Sequence, residues 1–166
     1  MRRLKAIADK LAICLWFESG AEDAVRFYCD LFPESEIHSI NRSSTDWPGG
    51  KAGDVLTIDL TLLGTLAMAM NGNTDDSFTN AISLQVFTDT QEETDRYWDA
   101  LLGETGSEMA CSWLTDRFGI RWQVAPRVLM EGLGHDDPDV KGRVFGAMME
   151  MVKIDHAKIE AAIAGK

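Results

Sequence analysis

The chain has 166 residues and a formal net charge of −11, from 27 acidic and 16 basic side chains. A surface this acidic repels phosphate backbones, which argues against nucleic-acid binding. No apolar run approaches the roughly 18–20 residues that span a membrane. The basic start of the sequence, Met1-Arg2-Arg3, also leads into no apolar stretch of the signal-peptide kind. We therefore expect one cytoplasmic domain over residues 1–166, with neither nucleic acid nor membrane as a partner.

The first half of the chain predicts a strand, a helix and then a hairpin of strands. The apolar run Ile13–Phe17 is typical of a strand. Apolar residues then recur at helical spacing until Pro33 stops them, at Ala24, Phe27, Tyr28 and Leu31. Strict alternation over residues 56–62 predicts a half-buried strand, and Gly64 turns it into a second strand at Leu66–Asn71.

One long irregular segment interrupts this half. Residues 41–53 contain Pro48 and the glycines at 49, 50 and 53, which predicts a loop. Two interpretations stay open for this loop: a flexible lid over a site, and a solvated surface connection.

The second half repeats the pattern of the first at an offset of 70 residues. Identical residues fall at Glu22 and Glu92, at Arg26 and Arg96, at Leu31 and Leu101, and at Phe17 and Phe87. A matching strand ahead of each helix favours an internal duplication over a chance likeness of two amphipathic helices. Further strands of the second copy are predicted at Ser107–Leu114 and Ile120–Ala125, with a turn over Asp116–Gly119.

After Pro126 the pattern becomes helical. One apolar stripe contains Val140, Val144, Met148 and Met151, and Asp155 is placed to cap a last short helix. Because two small sheets leave unpaired edges, we expect this stripe to cover a second copy of the chain in a homodimer. Packing of the same stripe on its own chain is the alternative.

The cysteines and histidines indicate no special chemistry. Cys14, Cys29 and Cys111 are too few for a disulfide framework and form no Cys-x-x-Cys pair, so we expect buried thiols in a reducing compartment. The three histidines have no metal-binding spacing and are expected to be partly exposed; they are His38, His135 and His156.

Several short motifs occur in one order along residues 12–164. They are Cys14–Phe17, Ala24–Tyr28, Asn71-Gly72, Ile82–Val86, Asp95–Trp98, Cys111–Trp113, Asp116–Pro126 and Met151–Asp155. In these motifs the chain resembles the PhnB-like branch of the vicinal-oxygen-chelate, or glyoxalase/bleomycin-resistance, superfamily. Members of that branch often carry the name 3-demethylubiquinone-9 3-methyltransferase.

The resemblance implies an α+β fold of two βαβββ modules with C-terminal helices. The modules would span residues 11–73 and 80–126, with a helical extension at 127–164, all in one glyoxalase-like domain. Each module would curl its sheet into half of a cup for a small molecule. In metal-dependent members, inward His, Glu or Gln side chains bind a divalent ion. Here the inward positions would hold Ile13, Leu15, Asn71, Ser83, Gln85 and Gln123, so we expect no metal and no other cofactor.

The side chains expected to line the cup are amides, a hydroxyl and aromatic rings. The polar set is Asn71, Ser83, Gln85 and Gln123, and the aromatic set is Trp16, Trp113 and Trp122. Amides fix a ligand's carbonyl or hydroxyl groups, and aromatic rings hold flat or cationic ligands. Plain structural roles in the sheet and the core are the alternative. Asp59 faces away from its strand's apolar stripe and is a weak candidate for a catalytic acid or base.

Three hypotheses for function stay open. The first is an enzyme of unassigned reaction with a metal-free cup. The second is a protein that sequesters a small ligand, for which the net charge suits a cation. The third is an interaction protein whose cup is filled by its own side chains. We do not expect methyl transfer, because an S-adenosylmethionine site usually needs a glycine-rich turn between strand and helix. The glycines at 49, 50 and 53 instead lie in the long loop.

Overall fold

The computed structural model describes residues 11–72, 74 and 76–166. Residues 1–3 and residue 73, the end of the expected first module, lie outside this part of the chain. The chain divides into two compact units, of which the first ends at Ser77 and the second begins at Phe78. None of the helices in the described ranges is long and apolar enough to cross a membrane.

Over its described residues, the first unit is one four-stranded sheet with a single helix. Its elements in chain order are β1 (Ile13–Phe17), α1 (Ala21–Leu31), β2 (Glu36–Arg42), β3 (Val55–Leu62) and β4 (Thr65–Asn71). The strand order across the sheet is β1-β4-β3-β2, with β1 parallel to β4 and the other pairs antiparallel.

The second unit has the same plan, followed by three helices. Its elements are β5 (Leu84–Thr88), α2 (Gln91–Leu102), β6 (Ser107–Met109), β7 (Trp113–Thr115) and β8 (Arg121–Pro126), then α3 (Arg127–Leu133), α4 (Pro138–Met149) and α5 (His156–Ala164). The strand order is β5-β8-β7-β6, and again only the first pair is parallel. The predicted α+β fold of two βαβββ modules with C-terminal helices is therefore confirmed.

One predicted strand of the second unit is wrong in its extent. Residues 107–114 form no single strand, because a turn over Ala110–Ser112 separates β6 from β7. Cys111 and Ser112 both have positive φ, at 59° and 68°, and their backbone N–H groups donate to the carbonyls of Met151 and Val152. Partners far along the sequence therefore hold this turn.

Each sheet buries one face under its own helix. In the first unit α1 packs on β3 and β4, and the buried side chains of the sheet alternate with partly exposed ones. On β1 the buried residues are Leu15 and Phe17, whereas Cys14 and Trp16 are exposed. Ile13 and Leu15 were expected on the open side of the sheet, away from the helix. Because strand side chains alternate between faces, that side holds Cys14 and Trp16, and the expectation is wrong by a shift of one residue.

The C-terminal helices form a core of their own within the second unit. Val140 and Val144 of α4 and Met151 are buried there together with Leu129, Ile154, Ile159 and Ala162. Asp155 caps α5 as predicted, since its side chain accepts a hydrogen bond from the backbone N–H of Lys158. The apolar stripe expected to cover a second copy therefore packs on its own chain.

The loop between β2 and β3 is shaped by its own hydrogen bonds. Asp46 accepts from the Lys51 ammonium and from the backbone N–H of Ala52, and Asp54 accepts from the backbone N–H of Lys51. Trp47 also forms a single β-bridge with Gly50. The loop lines a cavity of about 320 Å³ beside the first turn of α1.

The expectation of three buried thiols is not met. Cys14 is exposed on β1, while Cys29 in α1 and Cys111 in the β6–β7 turn are partly buried. Burial together with the charges of Asp30 and Glu36 raises the pKa of the Cys29 thiol, which keeps it protonated and unreactive at neutral pH.

Candidate active site

A chain of hydrogen bonds joins three polar side chains on the exposed side of the second sheet. Gln85 and Gln123 are direct neighbours in the parallel β5–β8 pair. The Gln85 side-chain amide donates to Gln123 Oε1 at 3.2 Å, and the Gln123 amide donates to Ser83 Oγ at 2.8 Å. The sequence placed these three residues in the candidate site, and the structure brings them together on one face.

Alternation along β5, β7 and β8 adds four more side chains to this surface. We call it the open face and define it by Ser83, Gln85, Phe87, Trp113, Thr115, Arg121 and Gln123. Trp113 pairs with Gln123 across β7 and β8, so it lies beside the amides. The opposite side of the sheet is covered by α2, as a hydrogen bond between the hydroxyls of Thr88 and Thr94 shows.

Sequence reasoning missed Arg121 and Phe87, and also Thr115, which follows Trp113 by two residues. Arg121 precedes Gln123 by two residues and Phe87 follows Gln85 by two, so both share the parity that places the glutamines on the open face. The Arg121 Nε donates to the Asn80 side-chain oxygen at 2.9 Å, and its Nη1 donates to the Gly119 carbonyl. The two-residue spacing from the glutamines is enough to predict that both side chains lie on this face.

Trp122 lies on the helix-covered side of the sheet and not on the open face. It is 1% exposed, and its indole N–H donates to Asp116 Oδ2 at 2.8 Å. The role expected for it as an aromatic wall beside Trp113 is therefore corrected, because neighbouring strand residues point to opposite faces. Trp122 fills the core beneath the sheet.

Asn71 also lies on a helix-covered face, that of the first sheet. Its side-chain oxygen accepts from the backbone N–H of Ala21, and its amide donates to the Val55 carbonyl. Ala21 opens α1, and the residue before it, Gly20, has no side chain with which to cap the helix. Asn71 supplies that cap from β4. The expected grouping of Asn71 with Gln123 on one open surface is therefore corrected.

Trp16 and Asp59 lie on the exposed face of the first sheet. Trp16 is 47% exposed, and its indole ring packs over Gly72, where a Cβ would meet the ring nitrogen at 2.1 Å. Asp59 accepts a hydrogen bond from the Ser39 hydroxyl at 2.7 Å. Both belong to the first unit, whereas Gln85 and Gln123 belong to the second.

The donor atoms of the open face do not fit a divalent cation. Gln85 and Gln123 offer neutral amides and Ser83 a hydroxyl, whereas Mg²⁺, Mn²⁺ and Zn²⁺ sites in proteins use carboxylates, imidazoles or thiolates. Within residues 11–72, 74 and 76–166, no three His, Cys, Asp or Glu side chains are grouped to hold a metal ion. Arg121 further disfavours a cation on this face.

Comparisons with known proteins agree with this fold. A family model described as 3-demethylubiquinone-9 3-methyltransferase matches residues 9–125. The structure of the PhnB protein from Bacillus cereus is 35% identical, covers 71% of this chain and 99% of its own, and superposes with a TM-score of 0.65. Protein PA1353 from Pseudomonas aeruginosa shares only the fold, at 18% identity, 72% and 98% coverage and a TM-score of 0.60. No curated protein matches the chain in sequence. The chain belongs to the PhnB-like family that bears the name 3-demethylubiquinone-9 3-methyltransferase.

Proposed function

We propose that this PhnB-like protein binds a small molecule on the open face of its second sheet, without a divalent metal. One observation carries the proposal: the chain Gln85–Gln123–Ser83 is a polar array on an exposed sheet surface, flanked by Trp113 and Phe87. Two groups of this array remain available to a ligand, Gln85 Oε1 as a hydrogen-bond acceptor and the Ser83 hydroxyl as a donor. Aromatic sides with a few convergent polar groups are typical of ligand sites.

Methyl transfer, which the family name implies, is not part of this proposal. A site for S-adenosylmethionine usually needs a glycine-rich turn between a strand and a helix. In this chain the β1–α1 connection contains one glycine, Gly20, and the β5–α2 connection, Asp89-Thr90, contains none. We expect no thermal stabilisation of the protein by S-adenosylmethionine.

A ligand screen with matched variants tests the binding proposal. Fragments would be screened against the ¹⁵N-labelled protein by NMR, with the side-chain amide signals of Gln85 and Gln123 as reporters. Hits should lose affinity by roughly tenfold in Gln85→Ala and Gln123→Ala, since each variant removes polar contacts. Lys141→Ala, at an exposed position of α4, is the control and should bind as the parent does. Equal affinity in all variants would reject the open face as the site and favour an interaction protein.

The metal-free part of the proposal has its own test. Elemental analysis of freshly purified, untagged protein should find zinc, nickel, manganese and iron far below one equivalent per chain. Neutral amides do not offset the cost of removing water from such ions. A near-stoichiometric metal lost in Gln123→Ala would refute this part.

Catalysis is a second candidate function, with Asp59 on the first sheet as a weak candidate for its acid or base. The observation behind it is a partly exposed carboxylate on the sheet face opposite α1, where Asp59 accepts a hydrogen bond from the Ser39 hydroxyl. If a fragment is turned over, Asp59→Asn should abolish turnover and leave ligand binding unchanged. Unchanged turnover in that variant removes Asp59 from the mechanism.

We also propose that the protein is a cytoplasmic homodimer with no nucleic-acid or membrane partner. The net charge of −11 argues against nucleic acid. Exposed apolar side chains outside the open face support self-association, among them Phe145, Met149 and Val152.

A further inference from the structure

The two ends of the open face differ in chemistry. Leu84 pairs with Trp122, so Ser83, one residue earlier, lies beside Arg121, and Arg121 pairs directly with Thr115. This end therefore has two hydroxyls around a guanidinium. At the other end Phe87 pairs with Ala125, and its ring is 41% exposed. The amides of Gln85 and Gln123 and the ring of Trp113 lie between the two ends.

Arg121 has donors to spare for a ligand. A guanidinium has five N–H donors. Its Nε bonds to Asn80 and one Nη1 donor to the Gly119 carbonyl, and these two contacts fix the plane of the group. The Nη2 atom makes no hydrogen bond to any residue in the described part of the chain. Two parallel N–H groups of this kind match the oxygens of a carboxylate or a similar oxyanion.

The cation at the opposite end is already neutralised. Arg127 lies over the Phe87 ring at 5.2 Å from its centroid, and its Nε is 3.0 Å from Asp89 Oδ1. Within the described residues, by contrast, no carboxylate lies within ion-pair distance of Arg121. The charge asymmetry along the face therefore favours a negative group at the Arg121 end and an apolar group at the Phe87 end.

We propose that the ligand of the open face is a small organic anion with an apolar tail. Its oxyanion head binds Arg121, Ser83 and Thr115, and its tail packs on Trp113 and Phe87. This inference rests on the proposed binding function and names its ligand class. It reverses the cationic ligand that net charge alone suggests. Distant surface carboxylates are screened beyond about 8 Å at physiological ionic strength, whereas Arg121 lies on the face itself.

Three probes that share a 2-phenylethyl tail and bear an anionic, a neutral or a cationic head group test the proposal. They are 3-phenylpropanoate, the neutral 3-phenylpropanamide and the cationic 3-phenylpropylamine. Each would be titrated into the ¹⁵N-labelled protein, with the side-chain amides of Gln85 and Gln123 as position markers. The carboxylate should bind at least roughly tenfold more tightly than the amine, because the amine meets Arg121 with like charge.

Arg121→Gln should remove this preference, and the matched control Arg96→Gln, at an exposed position of α2, should keep it. Equal or tighter binding of the amine or the amide at the same glutamine signals overturns the anion proposal, while the binding function of the face stands. Unchanged preference in Arg121→Gln also overturns it. Absence of any shift with all three probes at millimolar concentration overturns it as well. The binding function is then decided by the separate fragment screen.

Discussion

The carboxylate of Asp116 organises the turn that leads into β8. It is 3% exposed and accepts from the backbone N–H groups of Phe118 and Ile120 and from the Trp122 indole. Gly119, with φ at 88°, completes the turn. Three residues of the longest family motif, Asp116–Pro126, therefore have structural roles: Asp116 and Gly119 in the turn and Trp122 in the core. This turn sets where Arg121 and Gln123 begin to project onto the open face.

Asp116→Asn should destabilise the protein by about 1–3 kcal/mol, because an amide replaces one acceptor oxygen and leaves a buried N–H donor unsatisfied. If the new amide nitrogen faces Trp122, it and the indole N–H are both donors, so no hydrogen bond forms between them. Urea denaturation of the variant measures the loss, and Asp136→Asn at an exposed position is the control. Equal stability of the two variants would contradict this account of the turn.

Sequence reasoning identified four of the seven residues of the open face, and the alternation of side chains along each strand explains which four. The predicted residues that lie together project from the same face of the second sheet: Ser83, Gln85, Gln123 and Trp113. Asn71 was grouped with them because its chemistry is similar, although its hydrogen bonds cap α1. Whether an amide serves a ligand or the backbone depends on distant partners, which residue type alone does not specify.

The hairpin joining β3 and β4 contains a local conflict between sequence and conformation. Its two-residue loop, Leu63-Gly64, has φ of 49° and 73°, the pattern of a type I′ turn. Glycine adopts this region without strain, whereas leucine does not. Asparagine is the residue that type I′ turns prefer at the first of these positions.

Leu63→Asn should therefore stabilise the protein by about 0.5–1 kcal/mol through relief of the turn. Leu63→Ala removes the same side chain without favouring positive φ, so it should give no gain. Thermal and urea unfolding of both variants measure the difference. A lower stability of the asparagine variant than of the alanine variant would show that Leu63 is kept for packing.

An ion pair joins α2 to the segment before α5. The Lys153 ammonium is 2.8 Å from Asp95 Oδ1 and 3.5 Å from Asp99 Oδ1. The hydrogen bond to Lys153 lowers the pKa of Asp95, and the same bond raises the pKa of Lys153. Asp95 therefore stabilises the fold above its ordinary pKa of 3.8 and Lys153 below its ordinary value of 10.5.

Lys153→Gln should cost roughly 0.5–1 kcal/mol at pH 7, as partly exposed pairs do. The difference from the parent should disappear at low pH, as the pH falls through the lowered pKa of Asp95 and the carboxyl is protonated. Unfolding curves across the acid range measure it, and Lys141→Gln, at an exposed position of α4, is the control. A difference that is independent of pH would assign the effect of Lys153 to packing of its chain.

Elements were predictable where the signal is local. Helical spacing and the stop at Pro33 predicted the end of α1. The turn at Cys111 and Ser112 was missed because both residues are poor formers of positive φ. Carbonyls of Met151 and Val152, 40 residues away, stabilise it. A pattern of neighbouring residues does not predict a hydrogen-bond acceptor so far along the sequence.

At the scale of the whole molecule, the two units differ by one residue between strand and helix. Three residues connect β1 to α1, whereas two connect β5 to α2. The offset between the units is therefore 70 residues for the helices and 71 for the first strands, whose burial patterns are the same. An ungapped alignment paired Phe17 with Phe87 and so placed Leu15 on the wrong face. Phe17 corresponds by burial to Thr88.

The exposed side of α4 is the basis for predicting a dimer. Its inner stripe is buried in its own unit, but Phe145 and Met149, four residues apart on the outer side, are each 54% exposed, and the nearby Val152 is 44% exposed. Large apolar side chains grouped on a surface mark interaction sites. Residues i and i+4 of a helix are neighbours on its surface, so Phe145 and Met149 form one contiguous patch.

Light scattering at micromolar concentration should give twice the chain mass of 18.4 kDa. The double variant Phe145→Ser, Met149→Ser should return the mass to that of one chain, because it removes the apolar contacts that offset the entropy of association. Glu131→Ser, at an exposed position of α3, is the control and should remain a dimer. Circular dichroism would establish that the double variant is folded, since both side chains lie outside the core formed by Val140 and Val144. A single-chain mass for the parent protein contradicts the dimer. A dimeric double variant shows instead that a different surface holds the two copies together.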